Sequence, residues 1–473
     1  MLIGNRNGWL GFDRARTMQM PNQGASWTPA SLGSSLKGWW KADAGVRART
    51  AADMVAANSE YLSILDNASL STGDIPFWFA GWFYSDDVSG NDAWACKWND
   101  GGGADDNEWL LRAETTSLLF YGMGSGGTPV TKTWGTAIAA STWYFVMIYH
   151  DPTNNLIGIS VNGAAFQTAA FTLGFADSTA PFQIGRRGDA QDQYDGRAQM
   201  CAFGKSNTET FDNIRDALYN SGNGLALADV SAAQKTAWGA ISAWPLTENS
   251  GTRADIWGSN TLTDNNTVTA NDGKVDYAAA TTDVLWKWID QSAGALLPVQ
   301  ATQANKPTLV ANVLNSRAVV RFDGTNDTLK VATGAISNQP LWGWMVVDDN
   351  DAGTRFYFDG GAASKVSLSH TTDLIVNAGA AVGAADTSGA PHLVTFIVNG
   401  ASSDVRVDGA SIATGDAGAQ NMDSGIAIGA DNAGASPLAG DIAEIGFAAG
   451  SPTAADLAGL KAYITARYGL TVA

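Results

Sequence analysis

The chain has 473 residues, with 28 Lys and Arg against 46 Asp and Glu, a formal net charge of −18, and 16% charged beside 45% hydrophobic residues. An acidic, lysine-poor surface repels phosphate backbones and argues against a nucleic-acid binder, and no apolar run reaches the roughly 18 residues of a membrane-spanning helix. The apolar share is too high for disorder, and the 53 glycines and 18 tryptophans suit short strands and tight turns better than helical bundles.

The opening residues, MLIGNRNGWLGFDRARTMQMP, hold scattered arginines and no apolar core of roughly 7–15 residues, so they do not read as a secretory signal. The expectation is synthesis in a host cytoplasm. Residues 1–31 carry Arg6, Arg14 and Arg16 with Trp9 and Phe12 in no periodic pattern, and read as an arm that orders on docking to an acidic partner. Further on, SEYLSILD, PFWFAGWFY, WLLRAE, SLLFYG, STWYFVMIYHD, IGISVNG and PFQIGRR (59–187) are short β-rich runs broken by Gly, Asn and Asp clusters. A helix is predicted within 208–224, from Phe211, Ile214 and Leu218 at helical spacing, with Gly222 closing it. A short one is predicted over 231–240 from the capping-box pair Ser231 and Gln234. Residues 319–431 repeat the strand pattern, and a last helix is predicted over 451–469, with Ser451 as N-cap, Pro452 in the first turn and Gly469 at the end.

The two halves repeat. Ile184 and Gly185, Gly196, Phe203 and Tyr219 recur as Ile428 and Gly429, Gly440, Phe447 and Tyr463 at a constant offset of 244 residues. MVAANSEYLSI (54–64) also matches RFDGTNDTLKV (321–331), at another offset. These segments, with LKGWWKADAGV (36–46), VLWKWIDQSAG (284–294) and LKAYITARYGL (460–470), resemble the laminin-G-like, concanavalin A-like lectin/glucanase superfamily. The resemblance implies an all-β chain of two antiparallel jelly-roll sandwiches, each with a short closing helix, plus the extended N-terminal arm. The segments stand in an unusual order: Val46 is far from Leu285, and ISAWPLTENSGTRADIWGSNTLTDNNTV (241–268) follows the module it normally precedes. Nesting explains both oddities: an arm (1–31), a host sandwich from 32–50 and 281–473, and an inserted, circularly permuted sandwich over 51–280. Two tandem sandwiches meeting near residue 230 are the alternative.

Glucanases of the resembled superfamily use an E-x-D-x-x-E strand pattern that this chain lacks. The nearest string, GDIAEIG (440–446), is expected to put Asp441 and Glu444 on opposite faces. The three histidines, His150, His370 and His392, lie in separate runs, and no nucleophile elbow accompanies them, so no catalytic residue is assigned. Relatives often hold Ca²⁺ with Asp and Asn. Asp323, Asn326 and Asp327 are the weak candidates for such a site, with Asp66, Asn67 and Asp195 behind them; ordinary turn chemistry explains the same residues. Glycan contact needs an exposed ring, and Trp94, Trp98, Trp109 and Tyr194 flank the loops where one is expected. Trp78, Trp82, Trp143, Trp286 and Trp344 read instead as inward-facing core. Cys96 and Cys201 are expected as buried thiols, with their pairing left open.

These expectations combine into a non-enzymatic phage virion structural protein (capsid decoration, head-fibre or tail-associated). The arm binds other virion proteins, the sandwiches form a homo-oligomer on the particle, and host surface glycans are the further partner. The alternative is a glycan-binding adhesion module of a bacterial surface protein.

Overall fold

The computed structural model describes residues 27–100, 106–331, 336–349, 353–361, 365–385 and 389–473. The first stretch of chain forms β1 (Leu36–Lys41), β2 (Val46–Met54), β3 (Tyr61–Ile64), β4 (Phe77–Ser85), β5 (Asn91–Trp98), β6 (Asn107–Glu114), β7 (Ser117–Gly124), β8 (Thr128–Thr133), β9 (Thr142–Asp151), β10 (Leu156–Val161), β11 (Gln167–Ala170), β12 (Phe182–Ile184) and β13 (Gly196–Lys205). Helices α1 (Phe211–Tyr219) and α2 (Ala232–Ala237) follow, then β14 (Ala240–Trp244), β15 (Thr263–Asn265), β16 (Thr269–Ala278) and β17 (Leu285–Trp288). The remainder forms β18 (Thr308–Leu314), β19 (Arg317–Asp323), β20 (Leu329–Val331), β21 (Leu341–Asp349), β22 (Arg355–Gly360), β23 (Ser367–His370), β24 (Asp373–Asn377), β25 (Ala381–Ala385), β26 (His392–Val398), β27 (Ser403–Val407), β28 (Ala410–Gly415), β29 (Ile426–Ile428), β30 (Ala439–Ala449) and helix α3 (Ala454–Tyr468).

The chain is all-β: two antiparallel sandwiches of similar spatial strand arrangement. The first has a sheet in the order β11-β10-β9-β4-β13-β2-β16, with β14 beside β13 and β17 beside β2, and its opposing sheet runs β15-β3-β12-β5-β6-β7-β8. The second repeats this as β28-β27-β26-β21-β30-β19-β18, with β1 beside β30, over β20-β29-β22-β23-β24-β25. The repeat spaced by 244 residues falls on equivalent elements: β12 with β29, β13 with β30, α1 with α3. Both copies turn out of the short strand on a glycine of positive φ, Gly185 at 97° and Gly429 at 84°, where a Cβ is unfavourable.

Strand order differs between the copies. In the second sandwich β1 and β18 precede β19, whereas their counterparts β14 and β16 come after helix α1 in the first. Strands β2 to β17 pair within the first two sheets and lie in sequence between β1 and β18, which pair in the sheet of β30 and β19. The strand β2, Val46–Met54, pairs within the first sheet while its first residue, Val46, packs into the second core with Leu285 and Trp288; residues 50 and 51 both lie in this strand. Its apolar residues Ala48, Ala51, Ala52 and Met54 are fully buried, and the strand pairs with β13 through Ala52–Met54 and with β16 through Arg47–Asp53.

Each large sheet is covered on both faces, which explains runs such as FWFAGWFYS. On β4, Phe77, Phe79 and Phe83 enter the sandwich interior with Trp94, Trp109 and Phe182 of the opposing sheet. The alternate residues Trp78, Ala80 and Trp82 pack under α1 against Ile214 and Leu218. Trp342, Trp344 and Val346 on β21 likewise pack under α3 against Leu460, Ile464 and Tyr468. Each fully buried aromatic contributes roughly 1.5–3 kcal/mol of transfer free energy, so helix and sheet hold each other in place. The helix starts follow capping chemistry. Ser231 and Gln234 form the expected box at α2. At α3 the N-cap is Thr453, boxed with Asp456, rather than Ser451, because only Thr453 has a carboxylate three residues on. Helix α1 ends at Asn220 in the left-handed region, two residues before Gly222.

Candidate functional site

The four rings expected to meet a glycan are core residues. Trp94, Trp109 and Tyr194 are 0% exposed and Trp98 is 6% exposed. Trp94 stacks on Phe83 with centroids 5.0 Å apart, Trp109 lies 5.3 Å from Phe79, and the Tyr194 hydroxyl accepts from the Tyr84 N–H at 3.0 Å while donating to Arg197 O at 2.8 Å. Trp98 packs against Leu110 and Met123 and donates to Asp100 at 2.8 Å. A sugar cannot reach a ring already covered on both faces. The cause is the two-sided burial of these strands, which brings loop-flanking aromatics inward.

The weak calcium candidates form a turn. Asp323 Oδ1 accepts from the N–H groups of Thr325 and Asn326 at 2.8 and 3.3 Å, and Asp327 Oδ2 accepts from Asp323 N–H at 3.0 Å. Burial, then the Asp323 charge, pushes the Asp327 carboxyl up to about 7. Asp66 faces Lys97 at 2.8 Å, Asn67 donates to Asn260, and Asp195 accepts from Ala56 N–H. Among the described residues no cluster of three or more His, Cys, Asp or Glu is arranged to hold a metal. The arm residues Arg6, Trp9, Phe12, Arg14 and Arg16 lie outside the described residues.

A register shift on β30 corrects the expectation for Asp441 and Glu444. Val346 pairs with Glu444 but Val347 pairs with Ile442, so Ala443 is an extra, bulged residue. A bulge interrupts alternation, and both carboxylates lie away from the interior that holds Ile442 and Ile445. Each is engaged. Arg321 holds Asp441 with two bonds of 2.7 Å. Glu444, fully buried, receives Trp39 Nε1 at 2.8 Å, Trp344 Nε1 at 3.1 Å, Tyr463 O–H at 2.9 Å and Tyr468 O–H at 2.7 Å. His150 is also buried; its ring nitrogens lie 3.2 Å from Leu156 O and 3.1 Å from Asp74 Oδ1, and burial lowers its pKa.

An open cleft of about 550 Å³ lies between β2, the turn after α1, β16 and β17, lined by Arg47, Arg49, Asn220, Asn223, Gly224, Leu225, Ala226, Asp229, Lys274, Asp276, Trp286, Lys287 and Ile289; a second, of about 500 Å³, is lined by Arg321, Asp323, Asp327 and Asp441 but by no indole. Trp286, expected in the core, is half-buried here, because the register slips between Leu285 and Lys287 while Leu285 and Trp288 keep the inward positions. The Arg49 guanidinium lies 3.3 Å above the Trp286 ring, a cation–π contact of roughly 0.5–2 kcal/mol. Arg49 is also tied to Asp272 through Nε at 3.2 Å and Nη2 at 2.5 Å. A half-buried indole beside fixed guanidinium and amide groups has the parts a polyhydroxylated ligand needs: an apolar ring and oriented hydrogen-bond groups. Sequence reading assigned none of this cleft, whose members come from four separated stretches. The one local signal is Arg47-Ala48-Arg49, a basic pair in an acidic chain.

Among the described residues no helix is long and apolar enough to cross a membrane. No curated protein matches the chain. Among solved structures, the chain is similar to a candidate carbohydrate binding protein from Bacteroides ovatus (17% identity, TM-score 0.36), to which 49% of this chain aligns over only 62% of that chain. It is also similar to domains LG4-5 of the mouse laminin alpha1 chain (9% identity, 85% of this chain and 95% of that, TM-score 0.25). A third likeness is to the CBM40 of the Ruminococcus gnavus IT-sialidase (13% identity, 32% and 94%, TM-score 0.27). Scores this low carry no argument about ligand or site. Residues 56–202, which span β3 to β13 of the first sandwich, match the Laminin_G_3 family of the concanavalin A-like lectin/glucanases superfamily.

Proposed function

We propose that this protein is a non-enzymatic display protein whose sandwiches contact glycans, with the cleft between β2, β16 and β17 as the contact surface. The observation that carries this reading is Trp286: its ring is half-buried in an open cleft and flanked by Arg, Lys and Asn side chains, while the aromatics first suspected are enclosed. The match of residues 56–202 to a superfamily of lectins and glucanases supports it. The carboxylates nearest to a glucanase pattern, Asp441 and Glu444, are taken up by structural bonds, which supports binding without hydrolysis. The test is a glycan array probed with the full chain and with Trp286→Ala. Binding that the substitution removes supports the reading, and binding that survives it, or none at all, overturns it.

The finer part of the proposal places the sandwiches on a phage particle, held by residues 1–31. Its support is the arm's composition, basic and aromatic in an otherwise acidic chain. Deleting residues 1–26, which keeps Trp27 packed on Tyr463, is expected to abolish incorporation into particles while the sandwiches still unfold at the same temperature. Particles carrying the truncated protein at full occupancy would refute it.

A further inference from the structure

The cleft has an unusual charge for this chain. Arg47 and Arg49 are two apart on β2 and so share a face, and Lys287 on β17 is the register partner of Arg47. Like charges set directly opposite each other on neighbouring strands are destabilising. Lys274 on β16 adds a fourth cation, placed there by the register break between Asp272 and Tyr277. Two of the four are neutralised: Arg49 by Asp272 at 2.5 Å and Lys287 by Asp276. Among the described residues Arg47 and Lys274 make no ion pair; Lys274 Nζ instead lies 5.4 Å above the Trp82 ring. Asp229 is the only other carboxylate lining the cleft, so positive charge is in excess here although the chain carries −18 overall.

We propose that this cleft selects a saccharide bearing an acidic substituent, with Arg47 and Lys274 receiving the anion and Trp286 the ring; the inference rests on the glycan-contact reading above. The surrounding acidic surface sets a second limit. Its field repels a densely charged polymer, so the fitting ligand is short or sparsely charged, with a single carboxylate or sulfate among neutral rings. The uncompensated cations at Arg47 and Lys274 then acquire the partner that the fold does not supply.

The experiment is calorimetric titration of the full chain with three oligosaccharides of one backbone: uncharged, carrying one uronic acid, and carrying one sulfate. Binding of either acidic form at least tenfold tighter than the neutral parent is expected, and the acidic form that binds identifies the source of the anion. An Arg47→Gln, Lys274→Gln double variant should bind all three alike, at the neutral parent's affinity, and Lys461→Ala on α3 should change nothing. The acidic preference should also shrink as salt rises, since exposed charge pairs are screened, and this reading needs no variant. Equal binding of neutral and acidic forms by the native chain overturns the inference and leaves the glycan reading standing. An acidic preference that survives the double variant overturns it too, and no binding to any of the three overturns both.

Discussion

Lys306 Nζ lies 2.7 Å from Asp272 Oδ1, so a buried cation from the segment entering β18 meets a carboxylate on β16 of the other sandwich. Lys306 also donates to Arg49 O at 3.1 Å and to Gln303 Oε1 at 2.9 Å. Asp272 thus joins the two sandwiches and, through Arg49, orders the floor of the cleft. Burial draws the Lys306 pKa down and the Asp272 charge opposes that shift.

The pair makes an asymmetric prediction. Asp272→Ala strands a buried ammonium and is expected to cost about 3 kcal/mol. Lys306→Met leaves Asp272 still paired with Arg49 and should cost about 1 kcal/mol or less. Urea unfolding followed by tryptophan fluorescence measures both, and a Lys306→Met loss equal to that of Asp272→Ala would contradict the assignment.

The carboxylate Glu444 should tolerate little change. It accepts four hydrogen bonds from two indoles and two phenols, and an amide turns one of its acceptor groups into a donor facing donors. Glu444→Gln is therefore expected to cost about 2–4 kcal/mol, from broken bonds and unsatisfied buried groups. Thermal unfolding within a few tenths of a kcal/mol of the native chain would show that the cluster contributes little.

Stability should fall as pH rises through the weakly acid range. Burial, followed by neighbouring aspartates, raises the carboxyls of Asp92 and Asp327 from 3.8 to about 7. Between about pH 4 and 7 the folded chain keeps these protons and the unfolded chain has lost them, so each pH step in that window favours unfolding, and the effect levels off above 7. Asp92→Asn and Asp327→Asn should flatten the slope, stabilising at pH 8 relative to pH 5. Denaturation midpoints across that range check this, and an unchanged slope in both variants would refute the protonated state.

The two thiols should be silent in the native state. Cys96 and Cys201 are free and fully buried, and burial pushes both thiols well above their usual range. A thiol reagent at pH 8 is expected to titrate neither until denaturant is added, and then both. Rapid modification of the folded protein would place a thiolate at the surface.

Much of the fold is legible in the residues, because alternation and turn chemistry act locally. The central hairpin, STWYFVMIYHDPTNNLIGISVNG, forms β9 and β10 as expected, with Asp151 capping the turn through Thr153 and Asn154. The Thr453–Asp456 capping box was equally present in the sequence and outranks Ser451. Facing is harder to read. Trp94 and Trp109 sit next to polar loops but on strands buried on both sides, so adjacency to a loop gave no exposure. The bulge at Ala443 is set by pairing with β21 and leaves no mark in GDIAEIG. The cleft was illegible for a related reason: Arg47, Lys274 and Trp286 become neighbours only through the β2–β16 and β2–β17 registers.

On the reading proposed above, the chain holds a glycan without altering it. The direct measurement is mass spectrometry of the glycan that binds best, recovered after prolonged incubation with the full protein at stoichiometric concentration. The mass spectrum is expected to be that of the intact glycan, with no fragment or modified product. Conversion of the glycan that depends on the folded protein would contradict the claim and make the chain an enzyme.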